Sequence, residues 1–408
     1  MGPARTWVAG ALVLLGSTML GGCATIMDRD AVPAALTSSA TVPHLAHARF
    51  WGDEVPSDLP AFIRTYLPNV GKMATARSAD SRSRPVVEYL AISGGAGDGA
   101  YGAGFLAGWT ERGDRPTFEV VTGVSAGAII APFAFLGPRY DARLKEIWTR
   151  YKTDDIATPQ IFSGILGGPA LADTSPLKTL IDKYVDREMI DAVAQEYRAG
   201  RVLLVGTTNI DAQRPVFWNL GEIAASPHPS ALELFRQVIL ASASIPGAFP
   251  PVRIRVVAGS KTHEEMHVDG GTTRQVFIAP AQMSLKAFDG MYARPPLRRI
   301  YIIKNGKLTP EYEPVSPSTI SISARSLFTL TKAQAIGDIN RIWAIAQRDG
   351  AEFNLTSIPA GFTQQAKEPF DQPYMQALYR RGQEEGRSGK GWTKTPPYAF
   401  PVVGGKQP

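Results

Sequence analysis

Ser125 stands in Gly123-Val124-Ser125-Ala126-Gly127, between apolar Val120-Val121 and Ala128-Ile129-Ile130. A serine on a sharp turn between a strand and a helix is the arrangement of a nucleophile elbow. Gly123 and Gly127 leave room for that turn and for close approach of a substrate. The helix that follows directs its positive end at the same spot, where an oxyanion is favoured. Two companions strengthen the pattern. Upstream, Ser93-Gly94-Gly95-Ala96-Gly97-Asp98-Gly99-Ala100 follows an apolar strand and opens a helix, so its amides form a cradle for negative charge. Downstream, Val268-Asp269-Gly270-Gly271 puts a carboxylate at the end of a strand. A buried carboxylate of raised pKa can take a serine proton directly. The ordered set points to acyl transfer.

Three competing patterns use the same residues. Gly95-x-Gly97-x-x-Ala100 fits a dinucleotide fingerprint, which needs an acid at the end of the next strand. That strand ends in Thr122-Gly123-Val124-Ser125, with no acid. His263-Glu264-Glu265-Met266-His267 fits the zinc-protease motif, which needs both histidines on one helical face. Glycines bound that segment closely, and its second half leads into a strand, so no metal is expected. A Ser-His-Asp triad is the third alternative. His267 shares a strand face with Asp269, and Asp211 followed by His267 satisfies the order of an α/β-hydrolase. The sequence leaves a direct aspartate base and a histidine base both open.

The elements that must position these groups are visible as periodic runs. Strands are expected at Val86–Ile92, Phe118–Thr122, Arg201–Asn209, Val216–Asn219, Val252–Val257, Glu265–Asp269, Arg299–Lys304 and Phe353–Thr356. Helices are expected at Leu59–Leu67, Ala100–Trp109, Ala126–Phe135, Asp141–Tyr151, Pro176–Tyr184, Ile190–Ala199, Ser230–Ser242, from Pro317 to Arg348, and at Tyr374–Glu384, with a loop over Gly164–Asp173. Apolar strands alternating with helices give an α/β class with a largely parallel sheet covered on both faces.

The N-terminus reads as an export signal. Arg5 precedes an apolar run from Trp7 to Leu20, and Leu20-Gly21-Gly22-Cys23 is similar to a bacterial lipobox. The run spans about 21 Å, short of a bilayer core. Cys23 is the one cysteine in the chain. Its expected role is therefore lipidation, with no disulfide framework and no thiolate metal site. In lipoproteins of this type, Ala24 after the cysteine implies the outer membrane, facing the periplasm. The net charge of +6, from 43 basic and 37 acidic residues, is scattered, so no nucleic-acid partner is expected. The organisation expected is a signal peptide over 1–22, a tether and arm over 23–84, a catalytic domain over 85–310, and a C-terminal helical extension over 311–408 packed on it.

Elbow, glycine turn and Asp-Gly-Gly in this order resemble the patatin-like phospholipase family, over roughly Val86 to Val276. The resemblance implies a three-layer α/β/α fold and a Ser–Asp dyad, with Ser125 as nucleophile and Asp269 as base. It assigns the oxyanion hole to the amides of Gly94, Gly95 and Ala96, and the base motif to Gly270 and Gly271. It also implies that Ala241 to Pro246, with Phe249-Pro250-Pro251, lines the acyl pocket. Two positions depart from the family pattern. Ala96 replaces a glycine, which is acceptable at negative φ, and Asp98 replaces an arginine, which would oppose an oxyanion. The activity implied is hydrolysis of phospholipid or related esters without a cofactor, the membrane being reached through Cys23. The alternatives are a general esterase or thioesterase on the same dyad, or a non-catalytic scaffold.

Overall fold

The computed structural model describes residues 29–54, 57–79, 83–159 and 172–397. The expected signal peptide and Cys23 lie outside the described residues, as does most of the Gly164–Asp173 loop. The last two residues of that loop, Ala172 and Asp173, pair antiparallel with Thr158 and Pro159.

Nine strands form one sheet: β1 (Arg49–Trp51), β2 (Val86–Ile92), β3 (Val120–Val124), β4 (Val202–Asn209), β5 (Arg214–Asn219), β6 (Val252–Ala258), β7 (Lys261–Asp269), β8 (Leu297–Lys304) and β9 (Glu352–Ser357). The spatial order is β1-β5-β4-β3-β2-β8-β9, with β7 also pairing β4 and β6 pairing β7. The run β4-β3-β2-β8-β9 is parallel, while β1, β5, β6 and β7 pair antiparallel.

Continuous apolar strands require cover on both faces, and alternate residues of β2 show it. Leu90 and Ile92 enter one core, whereas Val87, Tyr89 and Ala91 enter the other. The first core is closed by α1 (Gly99–Arg112), α2 (Ala126–Leu136), α3 (Ala231–Ser242) and a C-terminal helix (Gln372–Ser388). The second is closed by the long helix α4 (Thr319–Asp349), through Ile339, Ile342, Ile345 and Ala346. The result is a three-layer α/β/α fold. No helix among the described residues is long and apolar enough to cross a membrane.

The helix Gln372–Ser388, α5 hereafter, packs on α1 through glycines four residues apart. A Cβ at Gly104 would lie 2.0 Å from the Tyr379 carbonyl oxygen, and one at Gly386 2.2 Å from that of Phe105. Backbone therefore meets backbone, and any side chain would force the helices apart. From residue 311 onward the chain thus supplies an edge strand and one helix to each face. At the other end, the N-terminal arm enters the sheet as β1. Arg49 on β1 is buried, ion-paired with Glu265 of β7 and set against the Trp218 ring of β5.

Candidate active site

The register along β4 brings the two key side chains together. Val124, the last residue of β3, lies opposite Gly206, while Asp269, the last of β7, lies opposite Thr207. β3 and β7 thus run toward each other along one side of β4 and stop at adjacent positions. Ser125 follows immediately after β3, and its side chain comes close enough to the Asp269 carboxylate to lower that group's pKa. The Gly271 amide donates to the other face of the base motif, 2.7 Å from Asp269 Oδ1.

Ser125 adopts φ 54°, ψ −122°, a strained conformation for a residue with a side chain. Close packing holds it there. A Cβ at Gly123 would lie 2.3 Å from the Gly127 oxygen, and one at Gly127 2.2 Å from the Ile92 oxygen. Ser242, at the end of α3, accepts from the Ser125 amide (2.9 Å) and donates to the Gly206 carbonyl (2.7 Å). This hydroxyl ties the elbow to β4 and was not singled out from sequence. The Ser244 carbonyl accepts from the Asp269 amide at 2.9 Å, so the end of α3 and the segment after it brace both Ser125 and Asp269.

Burial governs the electrostatics. Asp269 is 5% exposed, and desolvation raises its pKa to about 7, against the hydrogen bonds from Ser125 and the Gly271 amide. No cation contributes to that balance. A carboxylate with that pKa can accept a proton near neutral pH. His267 is fully buried and directed elsewhere. Its Nε2 lies 3.0 Å from Glu265 Oε2 and its Nδ1 2.9 Å from Thr207 Oγ1. Asp211, the acid of the histidine alternative, is ion-paired with Arg29. His263 and His267 lie on strand β7, not on a helix, which removes the geometry of the zinc motif. Among the described residues no group of three or more His, Cys, Asp or Glu is arranged to hold a metal.

The glycine turn lies beside the serine: a Cβ at Gly94 would be 3.0 Å from Ser125 Cβ. Two expectations for this turn need correction. The Gly94 amide donates to the Gln275 carbonyl at 3.2 Å, which leaves the amides of Gly95 and Ala96 as its candidate oxyanion donors. Ala96 has φ 45°, so the condition of a negative φ, under which an alanine is acceptable there, is not met. Its Cβ crowds the following carbonyl in that conformation, a cost of about 1–2 kcal/mol, partly offset by the entropy an alanine removes from the unfolded chain. Ala96→Gly is accordingly expected to stabilise the fold by about 0.5–1 kcal/mol, read from denaturant midpoints. A loss of stability would show that the alanine methyl packs better than the strain costs.

Asp98 does not confront the serine. Its carboxylate accepts from the Tyr374 hydroxyl at 2.7 Å, on α5. Burial raises its pKa, against the Tyr374 hydrogen bond and the charge of Lys304. Lys304, at the end of β8, is likewise buried; desolvation lowers its pKa to about 8, with Asp98 opposing. Its Nζ donates to the Asn305 carbonyl at 2.9 Å. Asn305 in turn fastens the start of the turn, donating through its amide to Ser93 Oγ (2.9 Å) and through Nδ2 to the Ser93 carbonyl (2.8 Å). Gln275 joins three parts: its carbonyl receives Gly94, its Nε2 donates to the Gly271 carbonyl, and its amide donates to buried Asp338 of α4. No local sequence signal marks Lys304, Asn305 or Gln275, because the groups that bring them to the turn, Asp98, Ser93 and Gly94, are distant in the chain.

Two cavities meet at Ser125. One is walled by apolar side chains, including Phe133, Trp148, Leu177, Tyr184 and Ile239. Ala243, Ile245 and Phe249, from the segment expected to line an acyl pocket, also line it. The other is an open cleft carrying Asp269, Gln275 and Lys304, bordered by α4. The two spaces share Ser125, Ala96 and Ile245, so an apolar and a polar volume adjoin at the serine.

The patatin-like phospholipase family model matches residues 90–281. Among curated proteins no sequence matches the chain. Among solved structures it is similar to VipD from Legionella pneumophila, at 12% identity and TM-score 0.36, over 74% of this chain and 67% of that one. It is also similar to the structure of full-length SpcU with full-length ExoU from Pseudomonas aeruginosa, at 13% identity and TM-score 0.34, over 75% and 52% of the respective chains. Human GIVD cytosolic phospholipase A2 is similar at 11% identity and TM-score 0.31, over 70% and 51%. The chain spans about half the length of the last two.

Proposed function

Residues 90–281 belong to the patatin-like phospholipase family, and from that premise we propose that this lipid hydrolase cleaves carboxylic esters of phospholipids through a Ser125–Asp269 dyad. Ser125 Oγ attacks the ester carbonyl while Asp269 takes its proton. The tetrahedral oxyanion is held by the amides of Gly95 and Ala96, each donor lowering the barrier by about 2.7–4 kcal/mol. Collapse releases the alcohol, which leaves with the proton from Asp269, and an acyl-serine remains. Asp269 then draws a proton from water, whose oxygen attacks the acyl-serine. Breaking that ester frees the fatty acid and returns the proton to Ser125. Lipidated Cys23 would hold the enzyme on the outer membrane, facing the periplasm.

The observation that carries this reading is the β4 register, which supports direct proton transfer between serine and aspartate with no histidine in reach. A fluorophosphonate probe together with two substrates tests it. Wild-type protein is expected to be labelled at Ser125, and to hydrolyse phosphatidylcholine vesicles faster than a short water-soluble ester. Labelling with hydrolysis of the soluble ester alone would reassign the protein as a general esterase. A folded protein that resists the probe would reassign it as a scaffold.

A further inference from the structure

The helix α4 has 31 residues, and its two halves differ sharply. The C-terminal half is buried against the sheet, whereas residues 319–334 project over the open cleft with most side chains exposed and none fully buried. Large apolar side chains are among them: Ile320 is 64% exposed, Phe328 63% and Leu330 68%, with Leu327 also exposed. At 100° per residue Ile320, Leu327, Phe328 and Leu330 fall within an arc of about 160°, while Ile322, 51% exposed, lies on the other side of the helix. Arg325 and Lys332 lie on the flank next to Phe328. These are tied to the neighbouring loop, Arg325 through Glu313 and Lys332 through Glu311 and the Thr309 carbonyl. Those contacts fix the rotation of the helix and leave the apolar stripe outward.

Resting on the lipid-hydrolase reading, we propose that this half of α4 docks the enzyme on a lipid bilayer, lying in the interface with its stripe among the acyl chains. Three features favour a bilayer over a second copy of the chain. The stripe is about 16 Å long and about 10 Å wide, roughly 160 Å², far below the ~800 Å² per partner of a stable protein interface. Leu327 and Phe328 also border the cleft that holds Ser125 and Asp269, so a lipid under the helix stands at the mouth of the site. Lys307, Arg325 and Lys332 face Glu311 and Glu313 around it, so attachment is driven by apolar burial, and an anionic surface is not required. An amphipathic helix of this kind lies on a membrane without spanning it.

The test uses the mature chain from residue 23 carrying Cys23→Ser, which lacks both the apolar signal run and the expected acyl anchor, and phosphatidylcholine vesicles in a flotation assay. This protein is expected to float with the vesicles at both low and high salt. Adding Ile320→Glu and Leu330→Glu, at exposed positions outside the cleft, is expected to weaken partitioning by about tenfold or more. Hydrolysis of vesicles should fall with it, while hydrolysis of a soluble short ester stays at the parent level and certifies the fold. Unchanged flotation of the substituted protein would overturn the proposal. So would a parent dimer that the two substitutions convert to monomer, which would make the stripe a self-interface. If neither protein hydrolyses any ester, the hydrolase reading fails, while flotation still decides the docking surface.

Discussion

Asp269→Asn is expected to lose turnover by about 10²–10⁴-fold and, at pH 8, to melt at a higher temperature than the wild type. Both effects come from one buried carboxylate whose pKa is raised by desolvation to about 7. In the unfolded chain it titrates near 3.9. Between these values the native state binds the extra proton. The stability that the protonated form contributes is fully present below about 3.9 and lost as the pH rises through about 7. Above pH 7 the wild type therefore carries a desolvated charge costing on the order of 4 kcal/mol, which a neutral amide avoids. Turnover has the opposite sign, since the base works only when ionised. The kcat/KM of the wild type should rise about tenfold per pH unit below 7 and level off above it. His267→Gln serves as the control. It disturbs the buried contacts to Glu265 and Thr207 and lowers the melting temperature, yet leaves turnover and its pH profile close to wild type. A normal pH profile in Asp269→Asn, or loss of turnover in folded His267→Gln, would shift the base to the histidine.

Ser125→Ala is expected to abolish both fluorophosphonate labelling and hydrolysis, with kcat lower by about 10⁵-fold or more. Combining it with Asp269→Asn should cost little further, because the two groups act as one unit. Ser125→Gly should be equally inactive but more stable than Ser125→Ala by about 1 kcal/mol, since glycine occupies φ 54° without the clash that a Cβ brings. Paired melting curves of the two inactive variants read this difference directly. If Ser125→Ala retains turnover, the elbow is not the nucleophile. On the proposed mechanism activity depends on a strained serine and a desolvated aspartate, so removing either should stabilise the fold.

Local pattern was enough to read most elements, because alternation and helical spacing are decided by each segment's own burial. Val86–Ile92 is a strand with the bounds expected, and α2 and α3 differ from expectation by one residue at an end. The elbow, glycine turn and Asp-Gly-Gly were visible for the same reason: each is a short segment whose glycines answer a local steric demand. What long-range pairing decides was not visible. β1 is too short to announce itself and exists because β5 offers it an edge. The helix at Val70–Arg77 has too little apolar periodicity to stand out. The availability of the Gly94 amide depends on Gln275, the direction of Asp98 on Tyr374, and the seating of the turn on Asn305. Each partner comes from a segment far along the chain. The positive φ of Ala96 is likewise imposed by its surroundings, against the preference of the residue itself.

The seating of α5 on α1, glycine against backbone, has a consequence for any attempt at excision. The family match starts at Leu90, within β2, and stops before β8. A fragment cut to those limits would strip β2 of its hydrogen-bonded neighbour and turn the strand feeding the glycine turn into an open edge, prone to associate with other chains. It would also uncover the glycine face of the helix which that turn begins. The smallest self-sufficient unit therefore reaches at least from Val86 to Ser388, twice crossing the limits that similarity alone would draw.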